Sequence, residues 1–290
     1  MVSVLLLTFN AGEAINSLLT SIKNQTVKCE LVVIDSSSTD GTPEVAMSYG
    51  ARVIPIDRSV FNHGKTRNYG IQNSRGDTIV FITQDALLCD EYCIENLIKP
   101  LEDKTVAATH GRQVPKVNAK PTEKFARLFN YPEKPAIRGL EHVPELGIKT
   151  FFFSNVFSAI RRHEFEMVGG FPENLIMFED MIFAAKLMLK GYKIAYAPEA
   201  IVIHSHDYSW TEQFRRYFQA GISFKKNLWF MKYAKSENEG IKFLTEEVKY
   251  LWKNNYYRWI VYAMIEAFFK YSGYKLGLNY NWMPYLRKKY

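Results

Sequence analysis

Several apolar stretches of this sequence end abruptly in one polar or acidic side chain, and the clearest case is Asp85. The run Val80–Thr83 is rich in β-branched and aromatic residues, which is typical of a buried strand. Ligands of open α/β sheets bind beyond the carboxyl ends of the strands, where Asp85 would lie. A carboxylate there, with waters and phosphate oxygens, can hold Mg2+ or Mn2+. The alternative is an acid that simply ends a strand.

Polar residues also follow two earlier strand-like runs. Thr8 and Asn10 come directly after the first run, and Asp35–Ser38 comes after the second. A carboxylate that accepts from a ring N–H suits uracil or thymine, so these two turns could receive a pyrimidine base. Each turn alone also fits a helix N-cap, which is the commoner role of an Asp after a strand.

The stretch Phe61–Asn68 places a glycine and two cations at the start of a predicted helix. Gly64 allows close approach of the backbone, and the N–H groups of a helix start favour an anion. Lys65 and Arg67 add positive charge, although cations are stabilised at the opposite end of a helix. A locally unfavourable choice of residues indicates function. The alternative is an exposed basic first turn.

Two further pairs lie in the second half of the chain. Glu179 and Asp180 begin a predicted helix, where they either complement the helix dipole or provide a general base. His204 and His206 follow a short predicted strand, which puts both rings on the same side if the chain stays extended. The two histidines are candidates for a metal or phosphate site, with a structural role as the alternative.

The elements that position these residues alternate regularly over the first hundred residues. Strands are expected at Val2–Leu7, Leu31–Ile34, Val53–Ile56 and Thr78–Thr83, and helices at Ala14–Asn24, after an N-cap at Thr42, and at Lys65–Ser74. This βαβ rhythm predicts an α/β fold with a doubly wound, mostly parallel, Rossmann-like sheet.

The rest of the chain is less regular. Arg112–Lys149 contains five prolines and is expected to be a long excursion, of the kind that is usually functional or mobile. Further strands are expected at Phe151–Ile160, Lys193–Ala197 and Ala200–Ile203, and a helix near Glu179. After Asp207 the pattern is helical, with breaks near Gly240 and Gly273. We therefore expect a catalytic domain at 1–210 and a helical extension at 211–290.

Composition limits the class of protein. The 290 residues are 47% hydrophobic and 23% charged, as in an ordinary folded protein. The chain enters a strand at once and has no run of about 18 apolar residues, so we expect neither a signal peptide nor a membrane span. Cys29, Cys89 and Cys93 form no zinc-like pattern, which favours a cytoplasmic protein.

The charge is concentrated in the helical extension. The net charge is +7, and residues 240–290 hold nine Lys or Arg against three Glu. This asymmetry argues against a nucleic-acid groove in the first 210 residues and indicates an extension that meets something anionic. Aromatic residues crowd the same region, as in helices that lie on a membrane surface. A lid or dimer interface is the equal alternative, and the oligomeric state is left open.

As an ordered set, these fragments resemble the family 2 glycosyltransferases, which have the GT-A fold. The resemblance covers residues 1–210, and the matching stretches are Val4–Asn10, Val32–Thr42, Asn68–Asp77, Thr83–Ala86, Gly169–Pro172 and Phe178–Asp180. Within the family, Phe61–Asn68 followed by Thr83–Ala86 is most similar to bacterial rhamnosyltransferases. Those enzymes build cell-surface polysaccharides from dTDP-L-rhamnose.

The resemblance implies a role for each candidate residue. Asp180 would be the catalytic base of an inverting displacement, with Glu179 beside it, and Asp85, His204 and His206 would hold Mg2+ or Mn2+. The nucleotide would be bound by Thr8, Asn10, Asp35, Ser37, Gly64, Arg67 and Gln84. The family's usual Asp-x-Asp is Gln84-Asp85-Ala86 here, which implies weak or partial metal dependence.

The resemblance also implies the partners. These would be a nucleotide-sugar donor, a saccharide or lipid-linked saccharide acceptor, and an anionic membrane surface on the cytoplasmic side. The alternatives are a UDP-hexose donor and a non-enzymatic nucleotide- or membrane-binding module. A Rossmann oxidoreductase is disfavoured, because Thr8–Gly12 lacks the glycine-rich fingerprint.

Overall fold

The computed structural model describes residues 1–233 and 239–282. Within these ranges one sheet contains all of the strands, which are β1 Val2–Thr8, β2 Cys29–Asp35, β3 Arg52–Pro55, β4 Thr78–Thr83, β5 Leu87–Leu88, β6 Val106–Val114, β7 Ala136–Arg138, β8 Phe157–Arg161 and β9 Lys193–Ile203. The strand order is β3-β2-β1-β4-β8-β6-β9-β5, and β7 pairs with β9.

The α-helices in the same ranges are α1 Ala14–Lys23, α2 Thr42–Ser48, α3 His63–Gln72, α4 Cys93–Ile98, α5 Pro121–Asn130, α6 Val143–Leu146, α7 Arg162–Met167, α8 Glu179–Leu189, α9 Trp210–Lys225, α10 Leu228–Met231, α11 Glu239–Lys253 and α12 Tyr257–Leu278. Short 3-10 helices lie at Arg58–Val60, Lys99–Glu102, Leu140–His142, Gly147–Phe151 and Tyr280–Trp282. No described helix is long and apolar enough to cross a membrane.

Alternation of side chains along each central strand divides the core into two layers. In β1, Leu6 packs with α1 on one face of the sheet, whereas Leu5 packs with α8 on the other. In β4, Ile82 packs in the same layer as Leu6, and Phe81 packs in the same layer as Leu5. Because both faces are covered, the central strands are almost continuously apolar. The predicted α/β fold with a mostly parallel sheet and C-terminal helices is confirmed.

The direction of the strands brings the candidate residues to one edge. Strands β3, β2, β1 and β4 are parallel, so the residues that follow Thr8, Asp35 and Thr83 emerge together. Strand β8 runs antiparallel to β4, so the residues that precede Phe157 reach the same edge. This edge is where an open α/β sheet binds its ligands.

Two expectations about the later strands were wrong. The apolar run Phe151–Ile160 is a strand only from Phe157, because Ser154 and Asn155 turn their polar groups into a hydrogen-bond network instead of a ladder. The two expected strands at Lys193–Ala197 and Ala200–Ile203 form one strand, β9. A shift in its pairing with β6 lies between Ala197 and Ile201, and this bulge accommodates Pro198.

The excursion Arg112–Lys149 is also more ordered than expected. It contains α5, β7 and α6, and it supports the helical extension. The ring of Phe125 in α5 lies 5.1 Å from Phe243 and 5.4 Å from Tyr250. The segment therefore connects the sheet to the C-terminal helices.

The helical extension has no break at Gly273, because α12 continues through it to Leu278. The glycines serve close packing instead: a Cβ on Gly273 or Gly277 would meet the backbone carbonyl of Phe214 or Phe218 in α9. Gly240 lies in the first turn of α11, and residues 234–238 just before it lie outside the described residues. The division into domains at residue 210 stays a prediction.

Candidate active site

Asp85, His204 and His206 come together beyond the carboxyl edge of the sheet. The Asp85 Oδ2 atom lies 3.4 Å from His204 Nε2 and 3.2 Å from His206 Nε2. One ligand atom from each residue can be chosen so that all lie within 4.8 Å of one another. Burial alone would raise the pKa of Asp85, but the two histidines lower it well below its usual range. The donor set fits a divalent metal ion.

The donors of this cluster are one carboxylate and two imidazole rings. A carboxylate suits Mg2+ and Mn2+, and imidazole nitrogen is a common ligand of transition metals. The ring of His206 is partly exposed and stacks on Tyr208 at 5.0 Å, while His204 is buried. Asp85 remains one-third exposed, so the site is open to a ligand from solution.

Gln113 lies behind the histidines and orients one of them. Its Oε1 atom lies 3.1 Å from His204 Nδ1, which fits a proton on Nδ1 and leaves Nε2 on the side of Asp85. The same oxygen accepts from Arg127, and the Gln113 amide nitrogen donates to Tyr131 at 2.6 Å and Ser154 at 3.0 Å. The amide is thus fixed at both ends.

Asp180 lies in the first turn of α8, next to the residues that precede β8. Its Oδ2 atom accepts from the Asn155 backbone N–H at 3.4 Å, and Oδ1 accepts from Met181 N–H at 2.8 Å. Burial and the neighbouring Glu179 charge raise its pKa to about 7, against the opposing effect of Arg67. A carboxyl group with this pKa can take a proton near neutral pH.

Glu179 and Arg67 form a buried ion pair beside Asp180, and each side chain is 8% exposed. The pair connects α3 to α8. Phe178, the residue before Glu179, has a φ of 66° and stacks on Phe224 of α9 at 5.0 Å. A bulky residue in the left-handed region is unfavourable and is held there only by its surroundings. The chain therefore enters α8 by a strained turn that fixes the two acids.

The turns after β1 and β2 are joined through Asp35. Its Oδ1 atom accepts from Thr8 Oγ1 at 2.8 Å and from Ser38 Oγ at 2.6 Å, and Oδ2 accepts from Ser38 N–H at 2.8 Å. Asn10 and Ser37 both have positive φ, of 43° and 62°. The Asn10 side chain accepts from Thr39 N–H, and the Ser37 hydroxyl donates to the Ile56 carbonyl.

Gln84 uses its side chain to hold the turn after β1. Its Oε1 accepts from the Phe9 N–H at 2.8 Å and its Nε2 donates to the Phe9 carbonyl at 3.1 Å. Above the Phe9 ring lies the Arg58 guanidinium, 3.2 Å from the centroid. Because both the oxygen and the nitrogen of its side-chain amide are used in this way, Gln84 has a structural role whether or not it also contacts a nucleotide.

Gly64 has a packing reason that the sequence did not reveal. A Cβ there would collide with the backbone carbonyl of Pro172. The start of α3 is capped by Asn62, whose side chain accepts from Lys65 N–H at 3.0 Å. Asn68, one turn on, exchanges two hydrogen bonds with the Phe171 backbone. The stretches Phe61–Asn68 and Gly169–Pro172 are therefore in direct contact.

A chain of contacts connects the candidate metal site with Asp180. His204 contacts Gln113, which contacts Ser154, and the adjacent Asn155 donates to Asp180. In addition, the N–H of Thr83, two residues before Asp85, donates to the Val156 carbonyl at 3.1 Å. The two sets of acids therefore lie on either side of residues 154–156. The individual roles of the predicted site residues stay predictions.

Comparison with known proteins agrees with this geometry. Residues 3–169 match the sequence profile described as "Glycosyl transferase family 2". The chain belongs to this family. The resemblance predicted from the sequence is confirmed, and this family 2 member is a glycosyltransferase.

Two curated relatives align over nearly the whole chain. The O-antigen chain rhamnosyltransferase RfbN of Salmonella typhimurium is 40% identical over 287 residues, which is 98% of this chain and 91% of the relative. The O-antigen chain rhamnosyltransferase WbaN of Salmonella anatum is 42% identical over 281 residues, 96% of this chain and 89% of the relative. The predicted similarity to bacterial rhamnosyltransferases is confirmed.

A solved structure supports the fold of this glycosyltransferase. The mannosyltransferase PcManGT of Pyrobaculum calidifontis, in complex with GDP-Man and Mn2+, superimposes with a TM-score of 0.64 at 18% identity. The match covers 96% of this chain and 86% of the other. At that identity the likeness concerns the fold.

Sequence reasoning missed Gln113 and Asn155. Gln113 is a polar residue at the carboxyl end of β6, the same signal that drew attention to Asp85, but it was assigned to the excursion. Asn155 precedes β8, so it reaches the edge only because β8 is antiparallel. Recognising it would have required the strand direction.

Proposed function

We propose that this glycosyltransferase transfers L-rhamnose from dTDP-L-rhamnose to a saccharide acceptor during synthesis of a cell-surface polysaccharide. The choice of sugar rests on the two relatives of about 40% identity that align over nearly the full chain. The chemistry rests on one observation: Asp180, with a pKa raised to about 7, is connected through residues 154 and 155 and Gln113 to the cluster of Asp85 and two histidines at the sheet edge.

Asp180 is the proposed catalytic base. Two backbone N–H groups fix its carboxylate, and the acceptor hydroxyl gives its proton to this group as the oxygen attacks the anomeric carbon. The new C–O bond forms on the face opposite the breaking bond to dTDP, so the configuration inverts. Positioning of this kind supplies a large part of the rate enhancement of such displacements.

Asp85, His204 and His206 are proposed to hold Mn2+. Such an ion, when bound, supplies positive charge to the departing diphosphate. Gln113 fixes the His204 tautomer so that Nε2 keeps its lone pair for the metal. Arg67 is proposed to lie near the diphosphate and to hold Glu179, its ion-pair partner. The ion pair with Glu179 orients the first turn of α8.

Asp35 is proposed to accept from the thymine ring N–H, with Thr8, Asn10 and Ser37 around it. Three hydrogen bonds already orient the Asp35 carboxylate, two of them to Oδ1, and Oδ2 has a further lone pair for a base. Gln84 supports the Phe9 turn at the rim of this pocket, and Gly64 lies at the start of α3. We place the reaction in the cytoplasm, to which the three free thiols are suited.

A panel of nucleotides tests the donor site. Ligand at about 100 times its dissociation constant stabilises a protein by roughly 2.7 kcal/mol, so the unfolding midpoint should rise by several degrees. We expect dTDP to raise it, Mn2+ to enlarge the rise, and Asp85→Asn to remove the enlargement alone. A response to UDP and none to dTDP would replace the donor by a UDP-hexose. No response to either would overturn the proposed site.

Transfer is then measured directly. Purified enzyme, dTDP-L-rhamnose and lipid-linked or free O-antigen fragments should release dTDP and lengthen the acceptor by one rhamnose. Turnover with UDP-hexoses but none with dTDP-L-rhamnose would contradict the proposed donor while keeping the enzyme class.

A further inference from the structure

Helix α12 presents its apolar side to solvent. The residues Tyr257, Val261, Met264, Phe268 and Tyr271, here called the outer face, are each between 51% and 66% exposed. They follow one another at steps of four and three positions, so they form one continuous stripe along the helix. Trp252 of α11, 64% exposed, extends the stripe, because its ring lies 5.1 Å from that of Tyr257.

The side chains of Glu266 and Lys270, in the middle of α12, point the other way. Glu266 is 6% exposed, accepts from Gln213 at 2.7 Å and pairs with Lys270 at 2.9 Å. The middle of the helix thus places an ion pair towards the protein and apolar side chains towards solvent, the reverse of an ordinary surface helix. A contiguous apolar surface of this kind marks an interaction site.

The charges beside the outer face indicate the occupant. Between Lys253 and Trp282 the sequence has a single acidic residue, Glu266, which is buried. The exposed charges in that interval, Lys253, Arg258 and Lys275, are all positive. We propose that the outer face of α12 docks on an anionic lipid membrane surface, with its aromatic and aliphatic side chains inserted at the headgroup level.

A second copy of the chain fits this face less well. Arg258 and Lys275 lie near opposite ends of α12, one position after its first residue and three before its last. Antiparallel pairing of two α12 helices over their full length would bring Arg258 of one copy near Lys275 of the other. Parallel pairing would place each of these two side chains opposite the same side chain of the other copy. Like charges that face each other across an interface oppose association, whereas anionic headgroups attract every one of them.

Docking here would hold the candidate active site close to the membrane. Tyr262, on the protein-facing side of α12, has its hydroxyl 3.3 Å from Lys120 Nζ and 3.4 Å from the Tyr208 carbonyl. Tyr208 in turn stacks on His206. This consequence, a site presented to a lipid-linked acceptor, rests on the proposed function, whereas the docking itself does not.

Vesicle flotation of the full chain tests the proposal. Vesicles of phosphatidylcholine with about 30% phosphatidylglycerol should bind the protein, pure phosphatidylcholine should bind it far less, and high salt should weaken the binding. The double variant Met264→Glu/Phe268→Glu should lower the partition coefficient at least about tenfold. The matched control, Met47→Glu/Val117→Glu, adds the same charge at side chains that are 54% and 94% exposed elsewhere, and it should bind as the unmodified protein does.

Three outcomes would overturn the proposal: no binding of the unmodified chain to anionic vesicles, equal losses in both double variants, or a dimer in light scattering that only the α12 variant converts to monomer. Unfolding midpoints of all proteins show that the variants are folded. A missing response to dTDP would count against the donor site and leave the vesicle result unaffected.

Discussion

Arg67 donates to the Glu179 carboxylate across 112 positions of sequence, in an ion pair from which both partners' side chains are 92% shielded. The pair joins the helix after β3 to the helix that carries Asp180. It explains why a basic residue lies in the N-terminal half of α3, where the helix dipole disfavours it. Its negative partner lies in the first turn of α8, where the dipole favours it.

Removing one partner of this pair should be costly. Arg67→Met would leave the Glu179 charge buried and unpaired, and we expect the free energy of unfolding to fall by about 3–5 kcal/mol. The double variant Arg67→Met/Glu179→Leu should recover much of this loss. Urea unfolding measures both. The exposed pair Lys249–Glu246 is the control, because Lys249→Met should cost well under about 1 kcal/mol. Equal losses would contradict a buried pair.

Asp180→Asn should abolish most transfer while leaving dTDP binding intact. Loss of a general base lowers the rate about 10²–10⁴-fold. Because the base must be deprotonated, kcat/KM of the unmodified enzyme should rise as the pH passes through about 7. Asp77→Asn, at the opposite edge of the sheet, should leave this profile unchanged. Simultaneous loss of dTDP binding in Asp180→Asn would instead make Asp180 a structural residue.

The same carboxyl group should reduce stability at high pH. Its pKa is raised on folding, so the folded chain favours the neutral form, and the stability present below the unfolded pKa of about 3.9 is lost as the pH rises through about 7. Asp180→Asn should therefore have the higher Tm at about pH 8, and the gap should narrow towards about pH 5. Calorimetry across this range measures it. A constant gap would mean that charge on Asp180 is not the cause.

Much of this fold follows from local pattern. The apolar run ending at Thr83 gave the bounds of β4 correctly, and the alternation of strands and helices gave the parallel half of the sheet. The direction of β8 could not be read in this way, because a strand looks the same in either direction. The polar residues before Phe157 become meaningful only once that direction is known.

The candidate site residues fall into the same two groups, those that a local sequence pattern indicates and those that it does not. Asp85, Asp180 and the two histidines stood out because each ends a strand or begins a helix. The buried partner of His204 did not, because Gln113 looks like an ordinary strand residue and its contact is 91 positions away. Gly64 stood out, but its close contact is with the Pro172 carbonyl, which no local pattern discloses.

Gln113 should matter for metal affinity. Gln113→Leu removes the group that fixes the His204 ring, and we expect Mn2+ affinity to fall about 10–100-fold. Gln113→Glu keeps an acceptor for His204 Nδ1 and should retain most of the affinity. Mn2+ binding is followed by electron paramagnetic resonance. Gln25→Leu is the control: Gln25 is also buried and bonded to backbone, but away from the histidines, so its loss should lower stability alone.

The contact between α9 and α12 depends on glycine. A Cβ at Gly273 would meet the Phe214 carbonyl, and because a backbone group cannot turn aside, Gly273→Ala should force the helices apart. Overpacking of this kind costs about 1–3 kcal/mol of unfolding free energy. At Gly240 a Cβ would meet no atom of the described residues within 4 Å, so Gly240→Ala should be neutral or stabilise α11 by up to about 1 kcal/mol. Urea unfolding of both variants measures the difference. Equal stabilities would mean that α12 does not pack on α9 through this glycine, and the polar side of α12 would then lack the partner that turns its apolar face outward.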